Sequence, residues 1–308
     1  MNMSHDEIFR KGRPIVLGEV LFDRFITGEA VLGGAPFNVA WHLRGFGCEP
    51  LFISRVGEDS EGKAVRDAMV DWGMDCGALQ WDPDHPTGAV RVTLERGQPN
   101  FDILPDQAYD HLDIGAAKSA LDTMGKASLF YHGTLLLRNP RGILETLLAD
   151  TVAPVFVDMN LRDPWWNAAD LPSILGRARW VKVNDEELSI VADRLGRGGD
   201  DWTEAARRIR RSHDLELLIV TRGEQGATAF HGSGKTISVA PQEAKDAITD
   251  TVGAGDAFSA VVIVGLLRGW SLLTIMREAQ AFASRVCRLR GAISRDRDFY
   301  ASGRAFLE

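Results

Sequence analysis

The feature that most constrains the fold is a regular alternation of short apolar runs with amphipathic segments. From Ala127 onward, strands are predicted at Ala127–His132, Pro154–Asp158, Arg179–Val183 and Glu216–Val220. Between them Ile143, Leu144, Leu147 and Leu148 make one helical stripe, and Trp202, Ala205, Ala206 and Ile209 another. Strands separated by helices pair side by side only when each helix crosses back over the sheet. That demands an α/β fold with a mostly parallel sheet, flanked by helices on both faces. Upstream, Pro14–Glu19 reads as a strand followed by a polar loop. Pro36 suits a first helical turn, where its missing N–H costs nothing, and Phe37, Ala40 and Leu43 continue the period. Leu51–Val56 reads as a strand. Asp59 or Ser60 caps a helix whose stripe is Ala64, Val65, Ala68, Met69 and Trp72. Two short strands, Ala227–His231 and Thr236–Ala240, precede two apolar helices, Gly255–Leu267 and Leu272–Leu289.

Residues 77–104 depart from this rhythm. Val90, Val92 and Leu94 alternate with polar residues, residues 97–100 turn the chain, and Phe101 and Ile103 follow. That pattern is a hairpin with one wet face, which has no place inside a doubly covered sheet. The expected organisation is one domain over 1–308, with a small β lid inserted from about 20–33 and 87–103.

Charge and cysteine usage narrow the function. The 308 residues carry 35 Lys and Arg against 43 Asp and Glu, a formal net charge of −8. Such a balance argues against a nucleic-acid partner, because bulk negative charge repels phosphate backbones. Cys48, Cys76 and Cys287 are isolated and odd in number, which excludes a disulfide framework and fits a reduced compartment. The first fourteen residues lack the apolar stretch of a secretory signal. The longest apolar run, Ala257–Leu267, falls short of the roughly 20 residues that span a bilayer. The expectation is a cytoplasmic protein with no membrane partner and an unstructured tail over residues 1–12. The histidines at 5, 42, 85, 111, 132, 213 and 231 show no ligand spacing, so no metal cluster is expected from them.

Residues 250–258, Asp-Thr-Val-Gly-Ala-Gly-Asp-Ala-Phe, carry the most chemistry. Small residues let a ligand approach the backbone, and the first amides of a helix have no intrahelical partner. The helix dipole is positive there, so the segment suits a phosphate-like anion. Asp256 beside that anion suits a base that accepts a hydroxyl proton during phosphoryl transfer.

This nine-residue segment resembles the C-terminal signature of the ribokinase-like (pfkB) carbohydrate kinases. Gly33, Gly34, Asn38 and Ala40 are similar to the family's N-terminal signature, and residues 54–57 with Asp59 and Gly62 to its strand-to-helix segment. Asn184 with Glu187 fits its Asn-x-x-Glu motif, and Thr221, Gly223 and Gly226 its nucleotide loop. The motifs occur in the family's order. Residues 18–25, 33–40 and 85–88 look most like bacterial fructokinases. The resemblance implies an ATP-dependent sugar kinase of ribokinase-like fold, with fructose as acceptor and Mg²⁺ as cofactor. Asp256 is then the catalytic base, with backbone amides of Gly253, Ala254 and Gly255 around the migrating phosphoryl group. Asp23, Gly33, Gly34 and Asn38 face the sugar. Phe101, on the lid hairpin, either packs over the sugar or is an ordinary residue of the lid core. Arg162, in the segment 158–162, clamps a phosphate or sugar oxygen. Asn184, Thr221, Gly223 and Gly226 serve the nucleotide, Glu187 the magnesium, and Asp250 with the Val252 carbonyl a monovalent cation such as K⁺. Lids of this family pair edge to edge, which implies a homodimer.

Other readings are a kinase for ribose, 2-keto-3-deoxygluconate or a nucleoside, and a non-catalytic sugar or nucleotide sensor of the same fold. A dinucleotide oxidoreductase lacks its glycine fingerprint after the first strand. The chain departs from the family around residues 281–284, where an Asn beside the adenine is missing. Gly232-Ser233-Gly234-Lys235-Thr236 mimics the end of a P-loop, yet Ala229 replaces its first glycine and a strand follows, so a hairpin turn is expected. Trp165-Trp166 reads as packing, and Arg207, Arg208, Arg210 and Arg211 as a solvated helix face.

Overall fold

Period-two burial builds the sheet. In β1 (Arg13–Leu17), Val16 packs into one apolar layer while Ile15 and Leu17 pack into the other. A strand buried on both faces must lie inside a covered sheet. The computed structural model describes residues 12–95, 98–138, 142–199, 201–241 and 249–301. The unstructured tail (Gly12 apart) and Gly97 of the hairpin turn, both expected from the sequence, lie outside these.

Nine strands among the described residues share the main sheet. They are β1, β4 (Leu51–Gly57), β5 (Leu79–Asp82), β8 (Ala127–His132), β9 (Val155–Asp158), β10 (Trp180–Asn184), β11 (Leu217–Thr221), β12 (Ala227–His231) and β13 (Thr236–Val239). Their order is β13-β12-β11-β10-β9-β8-β1-β4-β5. Every pairing from β11 to β5 is parallel, and β12 and β13 add an antiparallel edge. One face carries helices α1 (Ala35–Gly45), α2 (Ser60–Trp72), α8 (Ala254–Arg268) and α9 (Leu272–Val286), whose Phe37, Trp41, Phe258 and Phe282 fill a shared core. The opposite face carries α3 (Ile114–Thr123), α4 (Ile143–Ala149), α5 (Leu171–Arg177), α6 (Asp185–Arg194) and α7 (Trp202–Ser212). None of the described helices is long and apolar enough to cross a membrane.

A second, four-stranded sheet stands apart, in the order β3-β2-β6-β7, from β2 (Leu21–Phe25), β3 (Ala30–Gly33), β6 (Gly88–Glu95) and β7 (Gln98–Ile103). Leu21, Val90 and Val92 bury one face against Tyr109 and Leu135, while Arg91 points to solvent. This is the lid expected from the alternation at 90–94. Two expectations need correction. Leu79–Asp82 is an edge strand of the main sheet, paired in parallel with β4 from Ser54↔Leu79. Four residues with half their side chains wet carry too little pattern to separate them from the lid hairpin. The stretch after the first strand, locally a polar loop by pattern, is β2 and β3, as the lid placed at about 20–33 requires. Half-buried Asp23 and exposed Arg24 interrupt its apolar pattern.

The hairpin turn at 232–235 connects β12 to β13, with Lys235 exposed. Asp59 caps α2 by accepting the Gly62 amide at 2.7 Å. Arg208 and Arg211 both pair with Glu204 on the solvated face of α7. Half-buried Trp166 packs against the core, and Trp165 lies under the guanidinium of Arg138.

Candidate active site

The carboxyl ends of β1, β9, β10 and β11 and the start of α8 meet beneath the lid in a cleft of about 630 Å³. α8 opens without a side-chain cap. Gly253 stands at the cap position with φ 77°, in the left-handed region that favours glycine. A Cβ there would lie 2.6 Å from the Ala292 Cα, so glycine is also required by space. The first intrahelical bond runs from the Ala257 amide to the Gly253 carbonyl. The Ala254 amide turns back to the Thr251 carbonyl at 3.3 Å, and Ala254 is not among the residues lining the cleft. Gly253 and Gly255 do line it. The amides of Gly255 and Asp256 precede the first helical bond and have no intrahelical partner. A Cβ on Gly255 would sit 3.4 Å from Lys182 Nζ, so the glycine keeps the space before a cation open.

Asp256 projects from this first turn into the cleft. Its Oδ2 accepts the amide of Asn38 Nδ2 at 2.8 Å, tying α8 to α1. Burial lifts its pKa to about 6, against the pull of Asn38, with further upward pressure from Asp158. Asn38 Oδ1 is buried with no partner among the described residues. Gly34 caps α1 at φ 108°, and a Cβ would come within 2.8 Å of the Glu19 carbonyl. Asp23, Phe101 and Arg162 line the same cleft. Burial pushes Asp23 up to about 6, and the Arg162 guanidinium opposes that shift. Gly33 and Asp250 line a neighbouring cavity of about 320 Å³, shared with Asp23 and Phe101. Both Asp250 oxygens accept backbone amides, from Val252 at 3.0 Å and Gly291 at 3.3 Å.

On the far side, Asn184 and Glu187 form a capping box at the start of α6. Glu187 accepts the Asn184 amide and the Leu161 amide, each at 2.9 Å. Burial raises its pKa while Lys182 lowers it. Thr221 lines the cleft, whereas Gly223 and Gly226 do not. Gly226 is needed elsewhere, since a Cβ would collide with the Val239 carbonyl of β13.

Sequence reasoning missed two residues. Lys182 is buried beside the cleft, with Nζ 2.7 and 2.8 Å from the Asp158 carboxylate, which also accepts Ser259 Oγ at 2.7 Å. Burial opposes the lysine's charge, and Asp158 outweighs it, so the pKa rises. Glu19 is 4% exposed, and burial pushes it up to about 7, with Asp256 adding to the rise. For Glu19 the available signal was an acid just after a buried apolar strand, whereas Lys182 sits in mid-strand and offered none.

Residues 18–298 match the profile of the pfkB family carbohydrate kinase. Among curated relatives, the probable chloroplastic fructokinase-6 of Arabidopsis thaliana is 31% identical over 279 residues, covering 85% of this chain and 71% of its own. The fructokinase of Klebsiella pneumoniae is 28% identical over 271 residues, covering 83% and 84%. Among solved structures, a fructokinase from Vibrio cholerae O395 in fructose, ADP and calcium ion bound form superposes with a TM-score of 0.78 at 22% identity, covering 95% and 99%. A nucleoside kinase of Burkholderia thailandensis in complex with inosine gives 0.75 at 20% identity, covering 91% and 92%. With its parallel sheet, separate lid sheet and Gly-Ala-Gly-Asp helix start, the chain belongs to the pfkB family of ATP-dependent carbohydrate kinases.

Proposed function

We propose that this kinase transfers the γ-phosphoryl group of ATP to a hydroxyl of D-fructose, giving fructose 6-phosphate and ADP, within a single catalytic domain that includes the lid. The observation that carries the reading is Asp256, a carboxylate with raised pKa set beside uncapped helix amides and bonded to Asn38. At neutral pH a carboxylate of pKa about 6 is mostly ionised and still basic enough to take the hydroxyl proton as the oxygen attacks phosphorus. Amides at Gly253, Gly255 and Asp256 meet the charge on the migrating group; that of Ala254, expected among them from the sequence, is taken up by the Thr251 carbonyl. Losing one such donor costs about 3–4 kcal/mol of barrier. Asn38 Oδ1, Asp23 and Arg162 fix the sugar, with Gly33 and Gly34 leaving room and Phe101 closing over it. A site of buried polar groups discriminates against acceptors that leave them unpaired.

The nucleotide lies toward Asn184, Thr221, Gly223 and Gly226. Both Glu187 oxygens already accept amides, so Asn184 and Glu187 fit a magnesium ion through water rather than directly. Bound magnesium supplies charge neutralisation at the phosphates. Asp250 and the Val252 carbonyl offer the hard oxygen donors that suit a monovalent cation. The exposed apolar side chains Phe25, Ile26 and Phe101 on the lid support a homodimer that pairs lid to lid.

The substrate assignment is tested by coupled ADP release with ATP and magnesium across fructose, ribose, 2-keto-3-deoxygluconate and inosine. Fructose is expected to give the highest kcat/KM. Turnover of inosine or ribose with fructose inert would overturn it, as would sugar binding with no ADP released.

A further inference from the structure

The fold gathers a second set of donor atoms that the histidine spacing did not foreshadow, since 26 residues separate the two imidazoles. His85 lies between β5 and lid strand β6, Asp106 follows lid strand β7, and His111 ends the single turn Ala108–His111. One ligand atom from each of the three lies within 4.8 Å of the others. The imidazoles stack with centroids 3.5 Å apart and planes 10° apart. Asp106 Oδ1 is 2.7 Å from His111 Nε2 and 3.7 Å from His85 Nε2.

The surrounding contacts set the histidine's tautomer. His85 Nδ1 is 3.1 Å from Oδ2 of Asp82, which is 1% exposed and paired with Arg55 Nε at 3.0 Å. A buried carboxylate that accepts Nδ1–H leaves the Nε2 lone pair facing outward, as in histidines that ligate metals. His85 Nε2 and Asp106 Oδ1 then confront each other as two acceptors, an arrangement that a cation reconciles. Asp106 holds its backbone at φ 57°, in the left-handed region that aspartate tolerates, and this turn aims its carboxylate at both rings.

We propose that His85, Asp106 and His111 form a site for a divalent transition-metal ion of the zinc type. Two imidazole nitrogens and a carboxylate oxygen are donors zinc accepts, with water completing the tetrahedron. Magnesium and calcium, which prefer oxygen throughout, are served poorly. His85 keeps its bond to Asp82, while the His111 ring turns about its Cβ–Cγ bond and gives up its Nε2 proton to solvent, so that both Nε2 lone pairs meet one ion. His85 and Asp106 stand on the two connections that enter and leave the lid hairpin, and His111 belongs to the body beneath it. A bound ion therefore ties both roots of the hairpin to the main sheet.

Isothermal titration of the full chain with zinc chloride, in a buffer that does not chelate zinc, tests the site, with visible absorption of added cobalt(II) as a second reading. The wild-type chain is expected to bind one ion with a tetrahedral cobalt band. Asp106→Asn, at an exposed side chain, and His111→Ala are expected to weaken zinc roughly tenfold or more, within the range for lost metal-site partners. Their kinase turnover without added zinc should be unchanged. No uptake by the wild-type chain overturns the proposal. So does unchanged affinity in both variants, which would place the ion among the acids of the cleft. Should His111→Ala fail to fold by circular dichroism, Asp106→Asn alone decides.

Discussion

A carboxylate that works as a base near neutrality needs a pKa just below the working pH, and burial brings Asp256 to about 6. Two more acids share its surroundings, Asp23 at about 6 and Glu19 at about 7, so the acid limb of the pH profile belongs to the cluster. kcat/KM is expected to fall below pH about 6, and Asp256→Asn to lose about 10²–10⁴ in turnover with ATP affinity little changed. Steady-state kinetics and nucleotide titration check both, and near-normal turnover in the variant would remove Asp256 from its role. The shift also has a stability consequence. A carboxyl whose folded pKa exceeds its unfolded value binds its proton more tightly when folded. The contribution of Asp256 to stability is therefore greatest below the ordinary aspartate value of 3.8 and is lost as pH rises through about 6. The Asp256→Asn chain should consequently resist urea better than the wild type above neutrality.

At the scale of elements, the start of α8 combines a backbone requirement with a steric one. Gly253→Ala places a β-carbon on a left-handed residue against Ala292, a strain of about 1–3 kcal/mol, and shifts the amides that follow. Both a lower melting temperature and a lower kcat are expected. A loss of stability with kcat unchanged would show that the amides do not face the reacting group. This helix start was legible in the sequence because residues 250–258 match the family signature at every fixed position, where Gly-Ala-Gly-Asp alone would read as a tight turn and a cap. So was the Asp59 cap, a short polar residue directly before an apolar stripe. Lys182 was not legible, because its partner Asp158 lies 24 residues away and only the parallel pairing of β9 and β10 aligns Lys182 with Asp158. Gly226 fits a nucleotide motif, and the close passage of β13 asks for a glycine there as well. Leu79–Asp82 was hidden by length, since pairing rather than pattern makes four residues a strand.

The molecule as a whole divides labour between a doubly covered sheet and a lid that is wet on one side. Arg24 on β2 reaches across to Glu61 on α2 with both nitrogens, at 3.1 and 2.6 Å, and Arg290 pairs with Glu29 beside the lid. Exposed ion pairs of this kind contribute only about 0–1 kcal/mol, so they guide the lid without locking it. Hydrogen exchange of β2 and β6 is expected to slow when sugar and nucleotide are both present, while β8 to β10 stay unchanged. Equal protection of both sheets would mean that the lid does not move separately. The buried Lys182–Asp158–Ser259 contact joins β10, β9 and α8 in one brace beside the cleft. Acceptor preference could therefore be altered by exchanging lid residues without disturbing the buried brace on the main sheet.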